Sequence, residues 1–332
     1  MTRIRPAEPA EFAAIGDLTS RGFASGPYSD QITPEREAIQ QDASVRARDG
    51  DLLVAVNDDE ALVGTVSLVR PGTPSSRLAV DGELEARFLA VDPAAQRSGA
   101  GAALMREAVE FARGRGARAI VLDTGERNVP ASRLYERLGF ERVPERETVH
   151  TVGPVRVYRR GFEVPEGVVI RWAREDELLD VGALALAAYR ADYDVNDGYA
   201  LALADAASNA AVGQVWVAVD AAHDRLLGSM WTPLPGERLS VIAREGEMDF
   251  RQLAVSPDAR GGGIGAALVT HALALGRDRG VDRVVLSSGP EMLGAHRLYE
   301  KLGFSRLSER EGDVEVAPGR IVRLFVFGLD LA

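Results

Sequence analysis

The chain has no cysteine and one lysine, Lys301, among its 332 residues. The absence of cysteine excludes disulfides, thiolate nucleophiles and cysteine zinc sites together. With a single lysine, arginine must supply essentially all the cationic chemistry. The four histidines, His150, His223, His271 and His296, show no metal-ligand spacing and are expected at the surface or in the core. No apolar run approaches the ~18 residues that span a membrane. Glu8 and Glu11 stand where a signal peptide would need its apolar stretch. A cytoplasmic protein is expected, with no membrane partner. Net positive charge is also missing: the formal charge is −11 and the pI near 5.1, which leaves no basic stripe for nucleic acid. The imbalance is uneven, with 22 basic and 25 acidic residues through Val164 and 17 and 25 after it. The second half therefore presents the more negative field.

What the chain does have is a repeat. Gly82 to Glu147 realigns without a gap on Gly246 to Glu311, with roughly half the positions identical. Leu89-Ala90-Val91 matches Leu253-Ala254-Val255, and Gly99-Ala100-Gly101 matches Gly263-Ile264-Gly265. Arg133-Leu134-Tyr135-Glu136 through Gly139-Phe140 matches Arg297-Leu298-Tyr299-Glu300 through Gly303-Phe304. Solenoid repeats run at about 20–50 residues, so a repeat this long is a domain written twice. The text Glu163-Val164-Pro165-Glu166-Gly167 marks the boundary, giving domains 1–164 and 165–332 that form an internal pseudo-dimer.

Each half opens with a strand-like Ile-Arg segment, Ile4-Arg5 or Ile170-Arg171. An amphipathic helix pattern follows, near residues 10–21 and 176–190, and then a turn-rich segment, 25–30 and 192–199. Two hairpin strands come next, 52–56 with 63–69 and 215–219 with 226–231. The central strand, 84–91 or 248–255, runs into Asp92-Pro93 or Ser256-Pro257, where proline stops it. After a glycine loop, Leu104, Ala108 and Phe111, like Leu268, Ala272 and Leu275, recur at helical spacing toward Gly116 or Gly280. A buried strand, 119–123 or 284–287, a helix and closing strands complete each half. The order is mixed α+β, a central sheet flanked by helices.

The loops Gln96 to Ala102 and Arg260 to Ala266 each join a strand to a helix. Glycines there let successive N–H groups point into one concavity at the positive end of the helix dipole, a ready phosphate site. No Gly-Lys-Ser/Thr follows, so this is not a P-loop. The order is not an alternating βαβ series either, which excludes a Rossmann fingerprint. The sequence of central strand, Val-x-Pro, Gln/Arg-x-x-Gly-x-Gly, helix, strand and Arg-Leu-Tyr-Glu-Arg/Lys-Leu-Gly-Phe resembles the GNAT superfamily of acyl-CoA-dependent N-acetyltransferases, twice over. The tandem arrangement is similar to that of mycothiol synthases, although the motif block of the first half is better preserved than that comparison suggests.

The resemblance implies acetyl-CoA as cosubstrate, a small-molecule amine as acceptor and no metal. Its coenzyme positions fall on Leu89, Val91, Gln96, Arg97, Ser98, Gly99, Ala100, Gly101 and Ala102. In the second half they fall on Leu253, Val255, Arg260, Gly261, Gly262, Gly263, Ile264, Gly265 and Ala266. Asn128 matches a coenzyme-contacting asparagine, but Met292 stands there in the second half. Tyr135 and Tyr299 match the family's tyrosine near the thioester sulfur, where a phenol can protonate the leaving thiolate. Glu85 and Asp249 match a strand carboxylate that serves some members as general base; Glu83 and Glu247 are alternatives if a bulge shifts the pleat. Asp192, Asp194 and Asp197, interleaved with Tyr193 and Tyr199, suit a cationic amine. A non-catalytic acyl-CoA sensor, with one or both halves inactive, is the alternative reading.

Overall fold

The computed structural model describes residues 2–150, 153–317 and 320–331. The chain forms two compact units, Met1–Arg113 with Ala117–Phe162, and Glu163–Ala332 with Gly114–Gly116.

In the first unit, β1 (Arg3–Pro6) leads to α1 (Phe12–Ala24), α2 (Pro34–Gln41) and α3 (Ala43–Asp49). The strands β2 (Gly50–Val56), β3 (Leu62–Val69) and β4 (Glu83–Val91) precede α4 (Ala100–Gly114), β5 (Ala119–Gly125) and α5 (Val129–Arg137). The unit closes with β6 (Glu141–Arg142), β7 (Val149–His150) and β8 (Gly153–Gly161). Helix α1 starts two residues later than its pattern suggests, because Pro9–Glu11 form a tight 3-10 turn. Glu11, the last residue of that turn, is held by Arg5 at 2.7 Å. Helices α2 and α3 lie in a stretch that carried no helical periodicity. They are set by their caps: Thr33 accepts from the Arg36 N–H ahead of Pro34, and Asp42 accepts from the Val45 N–H.

The strands form one mixed sheet in the order β1-β2-β3-β4-β5-β8-β6, with β7 on β8. Only the β4–β5 pair is parallel among these neighbours, and it is short: Glu83, Leu84 and Glu85 face Ala119, Ile120 and Val121. On its other edge β4 follows β3 as far as Val91, across a bulge between Thr65 and Ser67. At that bulge Phe88 adopts a left-handed backbone, φ +54°, which costs a residue with a Cβ roughly 1–2 kcal/mol. The strand is bent away from β5 there, and the sheet opens into a wedge. The buried face of α4, Leu104, Met105, Ala108, Val109 and Ala112, packs on Leu84, Ala86, Ile120 and Leu122 from the strands beside the wedge.

The second unit repeats this with β9 (Val168–Trp172), α6–α8, β10 and β11, where α5 of the first unit is the last helix before them. Here α6 is Leu178–Arg190, α7 Asp197–Ala204, α8 Ala206–Val212, β10 Gly213–Asp220 and β11 Arg225–Pro233. Then come β12 (Glu247–Asp249), β13 (Arg251–Val255), α9 (Ile264–Arg279), β14 (Arg283–Ser288) and α10 (Leu293–Lys301). The last strands are β15 (Ser305–Arg306), β16 (Gly312–Ala317) and β17 (Arg320–Asp330). The single central strand expected over 248–255 is broken at Phe250. β12 pairs in parallel with β14, while β13 pairs with β11. Two sheets result, β13-β11-β10-β9 and β12-β14-β17-β15, with β16 on β17. Gln252, the repeat partner of Phe88, is again left-handed, φ +52°. The wedge is a property of both copies.

Helices α1 and α6 approach the following helices through glycine. A Cβ on Gly16 would meet the Gln41 carbonyl oxygen at 2.3 Å, and one on Gly182 the Ala204 carbonyl oxygen at 2.0 Å. Overpacking of this kind costs typically about 1–3 kcal/mol. Gly182→Ala should therefore lower the urea midpoint of the second unit, read by circular dichroism, and an unchanged midpoint would show that this approach does not constrain the fold.

Candidate active site

Beyond Glu85 and Asp249 the central strands lose their parallel partners. A strand edge without a neighbour presents N–H and C=O groups to any extended ligand lying in the wedge. Leu89 and Leu253 keep their side chains on the cores, so the backbone is what this edge offers. Val91 and Val255 close the strands beside the loops. Their methyls would lie 3.5 Å from a Cβ on Gly101 or Gly265, so these glycines let the helix sit close to the strand.

At the mouth of each wedge lies the glycine loop. Arg97 and Gly99 have φ of +67° and +91°, and their repeat partners Gly261 and Gly263 have +78° and +79°. The second loop meets the left-handed requirement with glycine throughout; the first carries an arginine there and bears the strain. A Cβ on Gly99, Gly261 or Gly263 would meet nothing within 4 Å, so the space above each helix start is open. Helices α4 and α9 begin at Ala100 and Ile264, both buried anchors. Their first-turn N–H groups have no intrahelical acceptors and sit at the positive dipole end. One of them is used internally, as Ala100 N–H donates to Ser98 Oγ at 3.3 Å. Gly262, Ala102 and Ala266 complete the loops with small residues. This donor set fits a pyrophosphate.

The leading side chains brace the loops. Gln96 Nε2 donates to Ser25 Oγ at 2.9 Å. Arg260 donates to Asp192 at 2.8 Å and to the Ala188 carbonyl at 2.9 Å. Asp192 is thus paired with Arg260 in a half-exposed ion pair. Asn128 stands immediately before α5, and its side chain makes no capping bond. At the matching place Met292 packs in a small polar group: Ser288 Oγ lies 3.4 Å from its sulfur and 3.2 Å from His296 Nε2. His271 is buried like His296, His223 is exposed beside Asp220, and the His150 side chain lies outside the described residues.

Glu85 and Asp249 are both fully buried. Glu85 Oε2 accepts from the N–H groups of Arg77 and Leu78 at 2.7 and 2.8 Å and from Ser76 Oγ at 3.0 Å. Asp249 accepts from Leu239 N–H at 2.8 Å and from Ser240 Oγ at 2.6 Å. Each carboxylate therefore ties down the loop before its strand and is linked outward by a half-buried serine hydroxyl. Ser76 and Ser240 are repeat partners just outside the realigned block, a signal that extending the alignment to the hairpin loops would have caught. Glu83 accepts from Arg146 and Arg159, and Glu247 from Arg310 at 2.7 Å with Arg283 at 3.4 Å. Burial pushes these two carboxyls up, but the guanidinium hydrogen bonds outweigh it and hold both below the usual range. They are structural ion pairs under the strand.

Tyr135 and Tyr299 are buried among aromatic rings, Tyr135 at 6.0 Å from Phe140 and 5.8 Å from Tyr158, Tyr299 at 5.9 Å from Phe304 and 5.7 Å from Phe327. Burial raises both phenols well above the ordinary tyrosine value, so they hold their protons through the neutral range. Around Tyr299 the second unit joins Tyr189, which the sequence reading did not single out, to Tyr193 and Tyr199. Tyr189 lies 6.1 Å from Tyr193 and 5.8 Å from Tyr199, and both Tyr193 and Tyr199 contribute to raising Tyr299. The first unit has a strap in the same region. The Tyr28 ring lies against Gly125, its hydroxyl accepts from Arg127 N–H at 2.8 Å, and Arg127 clasps Asp30 at 2.7 Å.

Each unit thus combines a bulged strand that parts from its parallel neighbour, an open glycine loop at a helix start and a buried phenol, the arrangement expected of an acyltransferase fold. The model of the acetyltransferase (GNAT) family matches residues 16–140 and 181–304, and the chain belongs to that family and is an acetyltransferase. It is 30% identical over 70% of its length to a mycothiol acetyltransferase of Saccharomonospora viridis, covering 73% of that protein. A mycothiol acetyltransferase of Actinosynnema mirum is 32% identical over 68% of this chain and 73% of its own. Among solved structures, the PaiA N-acetyltransferase of Thermoplasma acidophilum in complex with coenzyme A is similar over 49% of this chain and 99% of that one, with 15% identity and a TM-score of 0.39. No helix among the described residues is long and apolar enough to cross a membrane.

Because each unit keeps its loop and wedge, calorimetry should find two acetyl-CoA sites per chain. Gly99→Val and Gly263→Val should each remove one, since a β-branched side chain neither tolerates the left-handed backbone nor leaves the open space clear. A single site in the unaltered protein would contradict this.

Proposed function

We propose that the chain is a cytoplasmic N-acetyltransferase acting on a primary amine of a small molecule, with acetyl-CoA as donor and no metal. The reading is supported above all by the glycine loop of the second unit, where an unstrained set of left-handed glycines opens above a helix N-terminus next to the wedge of β12 and β13. Acetyl-CoA supplies the thioester whose acetyl group the free amine takes by direct attack in a ternary complex. Holding both reactants in the wedge provides orientation, and main-chain N–H groups near Leu253 polarise the carbonyl. Asp249 draws the ammonium proton through Ser240, whose hydroxyl passes its own proton to Oδ2 as it accepts the incoming one. Tyr299 donates to the departing sulfur. Tyr193 and Tyr199 line the acceptor side with aromatic faces. The relatives' names favour an acceptor of the mycothiol type.

The first unit holds the equivalent groups, Glu85 with Ser76, and Tyr135. The strap of Tyr28 and Arg127 across Gly125 favours a second reading for this unit, coenzyme binding without turnover.

Tyr299→Phe should lower kcat by about 10²–10⁴-fold, the usual worth of general acid help, with acetyl-CoA affinity near normal. Tyr135→Phe should leave kcat unchanged if only the second unit turns over. A Tyr299→Phe enzyme with full kcat would reduce that tyrosine to packing. Across a panel of small primary amines with acetyl-CoA, free thiol release should identify at least one acceptor. Release with none of them, alongside intact acetyl-CoA binding, would favour a sensor.

A further inference from the structure

The segment that joins α1 to α2 crosses the mouth of the first wedge. Helix α1 lies on the face of the sheet opposite α4: Ile15 packs with Leu52 and Val54, whereas Leu53 and Ala55 pack in the core with α4 and Tyr135. The last turn of α1 sits on the end of β4, where a Cβ on Gly22 would meet Ala90 Cβ at 3.0 Å and the Val91 carbonyl oxygen at 3.2 Å. Arg21 donates to Asp92 at 2.8 Å, and Ser25 accepts from Gln96, at the head of the glycine loop, at 2.9 Å. Three residues on, the same segment is fastened to the other strand. A Cβ on Gly125, the last residue of β5, would meet the Tyr28 ring at 2.3 Å. The segment therefore runs from the β4 side of the wedge to the β5 side.

Arg127 clasps its far end. The Arg127 backbone N–H donates to the Tyr28 hydroxyl at 2.8 Å, and the guanidinium lies 4.6 Å from the centre of the Tyr28 ring while donating to Asp30 at 2.7 Å and to the Pro27 carbonyl oxygen. The Arg127 and Asp30 side chains are both well exposed. Ion pairs and cation–π contacts in that setting are weak, so several small contacts hold the strap, and changing one side chain can undo it.

The second unit is built without this crossing. The connection between α1 and α2 has nine residues, 25–33, and that between α6 and α7 has six, 191–196. Glu291 stands at the place of Arg127. A Cβ on Gly289, the partner of Gly125, would meet Met292 first, at 3.7 Å. The shorter connection is fastened on the β13 side, where Asp192 pairs with Arg260. The strap is thus an addition to the first copy, which nevertheless keeps Glu85 with Ser76, and Tyr135.

We propose that residues 25–30 are an autoinhibitory strap that closes the first wedge to an amine on the α1 face, leaves the α4 face to acetyl-CoA, and permits turnover when the Arg127 clasp opens. The proposal rests on the reading of the chain as an amine acetyltransferase. Its test uses the full chain carrying Gly263→Val, or Tyr299→Phe if that variant fails to fold, so that the second unit is silenced. Free thiol release from acetyl-CoA is followed with putrescine, glucosamine and phenethylamine. Arg127→Glu, which sets a like charge against Asp30, and Tyr28→Ala, which clears Gly125, should each raise kcat/KM for at least one amine about tenfold or more, because apparent affinity scales with the open fraction. Acetyl-CoA affinity should stay unchanged, and adding Tyr135→Phe should cancel the gain. No gain in either variant, or a gain that survives Tyr135→Phe, overturns the proposal. If the unaltered chain acetylates none of the three amines, that failure belongs to the amine reading, and hydrogen exchange of the acetyl-CoA complex decides on the strap. The peptide covering residues 25–31 should be protected in the parent and lose protection in Arg127→Glu, and equal exchange in both overturns the proposal.

Discussion

Each unit depends on one backbone event, the parting of the central strand from its parallel neighbour after three paired residues. A parallel pair is stable only while both backbones keep register. The left-handed residue at the bulge, Phe88 or Gln252, turns the strand before that register can continue. The unpaired edge, the glycine loop at its end and the phenol beside it follow from that turn. The strained residue persists because β3 or β11 fixes the strand on one side of the bulge and the short parallel pairing fixes it on the other.

On this shared backbone the two units differ in side chains at matched positions. The first loop places Arg97 where the second places Gly261, and strain is borne in one and absent in the other. The first bulge residue lies among arginines and the second in an amide pair. One unit closes its strand end with Tyr28 and Arg127, and the other gathers tyrosines around Tyr299. The two copies keep the same strand and loop geometry and differ in the side chains around it, a pattern that fits sites carried on a common fold.

The strands, the loops and the long helices α4 and α9 were legible because hydrophobic periodicity and the gapless repeat reinforced each other at those residues. Helices α2, α3, α7 and α8 were not. At seven or eight residues they show too little periodicity, and their only marks are caps such as Thr33-Pro34, Asp42, Asn196 and Asp205. The break at Phe250 was equally hidden, since nothing in Met248 to Val255 departs from a strand pattern. The carboxylates Glu85 and Asp249 were singled out by the family resemblance, but their serine partners were not, because Ser76 and Ser240 come from loops that read only as turns.

By itself the sequence determined that there are two copies of one α+β unit, where each strand runs into its glycine loop, and which tyrosines and carboxylates stand near it. These are local or repeated features, written in residue order. Tertiary structure alone decided that Asp192 pairs with Arg260, that Glu83 and Glu247 are locked in ion pairs, and that Arg46 is buried with no carboxylate paired to it among the described residues, beside a residue 42 positions away in the chain. Pairing and burial depend on what the folded chain brings within a few ångströms, and no spacing along the sequence encodes that distance.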